Sequence, residues 1–321
     1  MKRKVSHFIS RKFRAVVLLA VSQLVVTSAA VAQADMQEAV QVRSIRFVTP
    51  LVEKWIAEYA KVRPDVQVQL AGKDMQADDV DIQLLAAVPA EAQFALTVGR
   101  YAILPIAGAD NTALASIGNR KLNARQLKTL YFERDIFDED DDETPSKPPL
   151  EVTVYSGANA GSFAHPFAAH FGRQSADLKG KKIAGDDLFL INAVQKDASG
   201  VSFNSLNYVF DVTSRQLRDG IVILPLDLKK GFEEIVRQPD LDKTIALLEA
   251  KAPELIPVEA FSAVVNTTTN SSALQFLHWV LTEGQKFNHE LGFLQLDEKT
   301  SEQQQQQLAT KSKKNFLLVN K

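Results

Sequence analysis

The 321 residues include no cysteine, 37 basic and 39 acidic side chains, and 45% hydrophobic residues. Without cysteine there is no disulfide, thiol nucleophile, cysteine-based zinc site or lipid-bearing N-terminal cysteine. The core alone must hold the fold, and a chain of this length can bury one. The first element reads as a leader: "MKRKVSHFISRKFR" holds six basic residues and no acidic one, followed by the apolar run "AVVLLAVSQLVV" and small residues ending in an A-x-A pattern at Ala34. That order predicts a cleavable secretory signal peptide and an exported product. Ser22, Gln23, Thr27 and Ser28 interrupt the roughly 20 continuous apolar residues that a membrane span needs. Cleavage after Ala34 leaves 287 residues with 31 basic against 39 acidic, a net charge of −8. An acidic chain of this kind is suited to aqueous solution and not to nucleic acid, which is bound through Lys and Arg at its phosphates.

Beyond the leader, "VQVRSIRF" predicts a strand running into "TPLVEKWIAEYAKVRP". Thr49 is read as an N-cap with Pro50 at the first helical position. Leu51, Val52, Trp55, Ile56 and Tyr59 then recur at helical spacing. "DVQVQL" and "DVDIQLLAAVP" read as short strands, "ALTVGRYAILPI" as a long central or crossing strand, and "NARQLKTLYFERDIF" as a helix. Asp138–Asp142 and the prolines after it predict a solvated loop, without the glycine turn and distal Glu of a calcium loop. The second half alternates again: strand "LEVTVY", a helix bearing Phe163, Phe167 and Phe171, then "KKIAGDDLFLINAVQKD", "GVSFNSLNYVF", "GIVILPLD", "TIALLEAKAPELIPVEAFSAVV" and a helix "SALQFLHWVLTEGQKFNHELGF". The tail "SEQQQQQLATKSKK" is polar and low in complexity, read as a fraying helix or disordered. Strands alternating with helices predict an α/β protein with mainly parallel sheets.

The segment "SGANAGS", Ser156–Ser162, joins a strand to a helix through small residues only. It lacks the lysine and spacing of a phosphate loop and the G-x-S-x-G of a nucleophile elbow. Two readings remain. In one, unpaired backbone N–H groups at the helix start hold an anion, helped by the Ser156 and Ser162 hydroxyls. In the other, this is a tight turn with Ser162 as a structural cap. "VRSIRFVTPLVEKW" repeats the strand–turn–helix arrangement with Arg46 beside it, so two helix starts could face one oxyanion across a cleft. His165 and His170 lie five apart, off the i, i+4 spacing of helical zinc ligands, and no nucleophile–base set is legible. No cofactor, metal or enzymatic activity is expected.

"RFVTPLVEKWIAEYAKVRPDVQVQL", "SGANAGSFAHPF", "GVSFNSLNYVF", "LPLD" and "FLHWVLTEGQKFNHELGFLQL" follow one another in an order that resembles the phosphate-binding, PstS-like periplasmic proteins. These are type 2 solute-binding proteins of ABC transporters, and the likeness runs from about Val42 to Leu296. It implies an α/β, two-lobed type 2 periplasmic-binding-protein fold, with two mixed sheets flanked by helices and joined by two hinge strands, near "VGRYAILPI" and "PELIPVEAFSAVV". The implied domains are a leader 1–34, a discontinuous first lobe 35–103 plus 257–300, a second lobe 104–256 and a Gln-rich tail 301–321.

The resemblance further implies a monomer that binds inorganic phosphate or a similar oxyanion for an ABC permease. The ligand residues it implies are Arg46, Phe47, Ser156, Gly157, Asn159, Gly161 and Ser162. The match departs from the family at both charged positions. Tyr155 stands where the family has its arginine, and Leu85–Ala86 where it has its Ser-Asp pair. Asp81, or Asp186 with Asp187, are candidate replacements for the acceptor, and Arg46 or Arg100 for the cation. The alternative expectation is an exported adhesion or scaffold module on the same fold with a degenerate anion site.

Overall fold

The strand Ala95–Gly108 is the spine of the chain. The computed structural model describes residues 39–117, 120–133, 150–159, 161–266 and 271–319; the expected leader and the acidic run Asp138–Asp142 lie outside them. In chain order the strands and helices are β1 (Val40–Ser44), α1 (Thr49–Val62), β2 (Val68–Leu70), β3 (Ile82–Leu85), β4 (Ala95–Gly108), α2 (Thr112–Ile117), α3 (Ala124–Tyr131), β5 (Thr153–Gly157), α4 (Ala164–His170) and β6 (Lys181–Ile183). They continue as α5 (Leu188–Lys196), β7 (Gly200–Ser205), α6 (Leu206–Val209), β8 (Ile221–Ile223), α7 (Glu234–Arg237), α8 (Leu241–Ala250), β9 (Val258–Val265), α9 (Ser271–Leu281) and α10 (Glu298–Val319).

The sheet order is β2-β1-β3-β9-β4-β7-β5-β6, with β8 also on β4. Residues Ala95–Ala102 of β4 pair antiparallel with β9. Residues Ile103–Ala107 pair with β7, and Ile106–Gly108 with β8. One strand thus serves two stretches of sheet, each mixed. β1 runs parallel to β2 and β3, and β5 runs parallel to β6 and β7. The expectation of mainly parallel pairing holds for β1 with β2 and β3 and for β5 with β6 and β7. It fails at β9, which runs against β3, and along β4, whose three partners all run against it. The change is visible in burial: Ala95–Val98 alternate between half-buried and buried, whereas every residue from Tyr101 to Gly108 is buried. A strand covered on both faces must be apolar throughout, and "YAILPIAG" is.

Two local readings differ from expectation. Thr49 is not a cap. A 3-10 turn, Arg46–Val48, precedes α1, and Thr49 Oγ1 bonds the Ile45 carbonyl and the Ser44 hydroxyl. The C-terminal tail is also ordered. α10 lies against α9, with Leu308 fully buried, because Gln and Ser side chains complete its contact by bonding backbone groups.

Around β4 the aliphatic core includes several large aromatic rings. Trp55 and Tyr59 of α1 reach the C-terminal segment: Trp55 Nε1 donates to the Gly284 carbonyl at 3.0 Å, and the Tyr59 ring meets Phe276 at 5.2 Å. Each such side chain contributes about 1.5–3 kcal/mol when fully buried. Phe261 of β9 lies between Trp55 and Phe293 and leaves no room beneath it. Gly99 faces it at an irregularity in the β4–β9 register, and a Cβ there would lie 2.3 Å from Phe261 Cζ. Gly99→Ala should therefore destabilise the fold by about 1–3 kcal/mol through overpacking. A urea midpoint equal to that of the unsubstituted chain would contradict this.

Candidate functional site

Four turns collect at the carboxyl ends of β1, β5, β6 and β7, the place where open α/β sheets bind ligands. The turn after β1 carries Arg46 and Phe47. The turn after β5 runs from Ala158 to Phe163, that after β6 carries Asp186 and Asp187, and that after β7 carries Asn204 and opens α6 with Asn207 and Tyr208.

Polar links cross between these turns. Arg46 Nη1 donates to Asp186 Oδ2 at 3.3 Å, with the arginine side chain 71% exposed and the aspartate 19%. Asn207 Nδ2 donates to the Phe47 carbonyl at 3.1 Å, and Asn204 Nδ2 to the Asp187 carbonyl at 2.7 Å. Asn159 Nδ2 donates to the Gly185 carbonyl at 2.8 Å, tying the β5 turn to the β6 turn. Ser205 and Asn207 are also hydrogen-bonded through their side chains.

The expected residues of the β5 turn take several roles. Ser162 Oγ donates to the Gly157 carbonyl at 3.2 Å and accepts the Ala164 amide at 3.3 Å, so it acts as a structural cap. Ser156 is fully buried, and its hydroxyl has no hydrogen-bond partner among the described residues. Gly157 is required by space: a Cβ would lie 2.4 Å from the Ser162 Cβ and 2.7 Å from Asp187 Oδ1. Gly161 is exposed in the turn and nothing would crowd a side chain there. The turn therefore draws a carboxylate against its backbone, and that carboxylate is the chain's own.

Asp187 sits in the most demanding environment of the site. Burial pushes its carboxyl up to about 7; the charge of Asp186 adds to the rise, while a hydrogen bond from the Phe163 amide opposes it. The amide at a helix start favours an anion, yet desolvation disfavours charge more strongly here. Tyr208 is raised by burial, then by the charge of Asp186 and by its hydrogen bond to that carboxylate.

Aromatic rings fill the space under the two helix starts. The Phe47 ring centroid is 4.8 Å from that of Phe163 and 4.9 Å from that of Tyr101, both edge-on. The starts of α1 and α4 therefore approach each other across packed rings, with the polar groups at the rim.

Asp81 and Arg100 are elsewhere. Asp81 precedes β3 at its amino end, where Oδ2 accepts the Gln41 amide at 2.8 Å. Arg100 lies on β4 beside Tyr101, so strand alternation sends it to the opposite face, where Nε donates to the Gln295 carbonyl at 2.8 Å. Leu85 ends β3 close to the site end and carries no carboxylate. The sequence reading missed Tyr101, Asn207 and Tyr208; the only signal for them was position, at or beside the crossing strand and the carboxyl end of β7.

No protein-family model matches this chain, and no curated protein matches it. Solved structures do. A protein from Clostridium perfringens assigned as a phosphate ABC transporter substrate-binding protein, with phosphate bound, superposes with a TM-score of 0.55 at 15% identity, over 81% of this chain and 100% of its own. An ABC-type phosphate transport receptor from Vibrio cholerae gives 0.51 at 12%, over 80% and 100%. The fold is that of the type 2 periplasmic-binding proteins.

An acid whose carboxyl is raised in the folded state stabilises the fold when protonated. That contribution is complete below the unfolded value near 4 and is lost as pH rises to about 7. Asp187→Asn should remove this loss. Between pH 4 and 7 the variant should gain on the parent by on the order of a few kcal/mol. Parallel stability curves across that range would refute the assignment.

Proposed function

We propose that the chain is an exported solute-binding protein that captures a protonated oxyanion, hydrogen phosphate or a close relative, for an ABC-type importer. The observation that carries this reading is the meeting of Arg46 with Asp186, next to Asp187 at the α4 start. A cation and two half-buried carboxyls stand together, and they support a role for these residues in place of the charged groups missing at Tyr155 and Leu85–Ala86. In this reading the ligand takes the place of Asp186 on the Arg46 guanidinium, which suits an oxyanion by its planar fork. The Arg46 and Phe47 amides, at the first turn before α1, and the buried Ser156 hydroxyl supply further donors. The ligand's own proton goes to Asp187. Sulfate has no proton to give, and it would meet Asp187 as a like charge once that carboxyl is ionised, above about pH 7.

Titration calorimetry with phosphate and sulfate tests this. Phosphate should bind, Arg46→Ala should weaken it tenfold or more, about 1.4 kcal/mol, and Asp187→Asn should admit sulfate. No heat and no thermal stabilisation at millimolar phosphate would remove the reading, because a ligand held only by the folded state must raise stability.

The packing of Phe47 against Phe163 favours a second reading, an exported adhesion or scaffold module whose anion site is closed. Arg46–Asp186 is then a structural ion pair, and Arg46→Ala changes stability without any response to phosphate.

A further inference from the structure

The five consecutive glutamines Gln303–Gln307 divide between two faces of α10. Helical neighbours lie three and four residues apart. Ser301, Gln304, Gln305 and Leu308 form the docked face: Leu308 is fully buried, Gln304 Oε1 accepts the Thr97 amide at 2.9 Å, and Gln305 Nε2 donates to Ser301 Oγ at 3.1 Å. The adjacent face, Gln303, Gln306, Gln307, Thr310 and Lys311, looks into a groove of about 940 Å³ whose opposite wall is Gln93–Ala95, leading into β4. Among the described residues, no hydrogen bond uses the side chain of Gln93, Gln303, Gln306 or Gln307. The Lys311 ammonium lies 5.5 Å from the centre of the half-buried Phe94 ring.

The lining specifies a ligand chemistry. Each carboxamide offers two donors and a carbonyl acceptor, and among the described residues no carboxylate lines the groove, so a metal ion would lack its preferred ligands there. Sugar hydroxyls are donors and acceptors at once, as carboxamides are, and the C–H face of a sugar ring packs on an aromatic ring. A volume of this size is within the range of small-ligand sites. An added peptide strand is less suited, because it would need the edge amide of Thr97, which Gln304 already holds.

We propose that the groove between α10 and the start of β4 is a saccharide-binding site, taking an oligosaccharide of a few rings. It stands apart from the oxyanion junction and does not depend on it. The test is calorimetry on the full chain with two probes, cellohexaose, which is neutral, and hexagalacturonate, which bears carboxylates for Lys311. At least one should bind. The double variant Gln306→Ala/Gln307→Ala should lose tenfold or more in affinity while keeping its thermal midpoint, since neither residue is on the docked face. Failure of both probes at millimolar concentration, or binding that the double variant leaves unchanged, would overturn the proposal.

Discussion

The desolvated carboxyl of Asp187 is the constraint on which the site turns. A buried carboxylate is costly unless donors surround it, and the chain supplies the Phe163 amide and a glycine at position 157 that allows the backbone to come close. That donation and that close approach fix the β5 turn against the β6 turn. They also explain the glycine at position 157: any Cβ there would collide with Ser162 and with the carboxyl. The small-residue tract thus makes room first for a group of the same chain.

Arg46 completes the electrostatics from the other half of the sheet. It is largely exposed, and its ion pair with Asp186 is correspondingly weak in water. A weak pair at a rim is easily exchanged for another anion, whereas the rings of Phe47, Tyr101 and Phe163 beneath it are a fixed floor. The site therefore joins a rigid apolar base to an exchangeable charged edge, and β4 holds the two together by running through both stretches of sheet.

Much of the fold was legible because the hydrophobic pattern changes period at each element. The apolar length of "ALTVGRYAILPI" marked the crossing strand, and the helical face of Leu51, Trp55 and Tyr59 marked α1. The order of α10 was not legible. Its docked face is Ser301, Gln304, Gln305 and Leu308, a single apolar residue among hydrogen-bonding ones, and glutamines that bond backbone look the same in sequence as glutamines in water. The site was legible where backbone shape demanded glycine, at Gly157, and where charge stood beside a turn, at Arg46 and Asp186. Asp81 and Arg100 stood out by charge alone; strand direction sends Asp81 away and strand alternation sends Arg100 away. Tyr101 and Phe163 are far apart in the chain, so their contact leaves no local pattern.

The most direct test of the account is the titration of the Asp187 carboxyl carbon by NMR, in the free protein and with saturating phosphate. The account predicts a midpoint near 7 in the free protein that moves when phosphate is added and stays in place with sulfate. A midpoint in the ordinary carboxylate range near 4, indifferent to both anions, would contradict it.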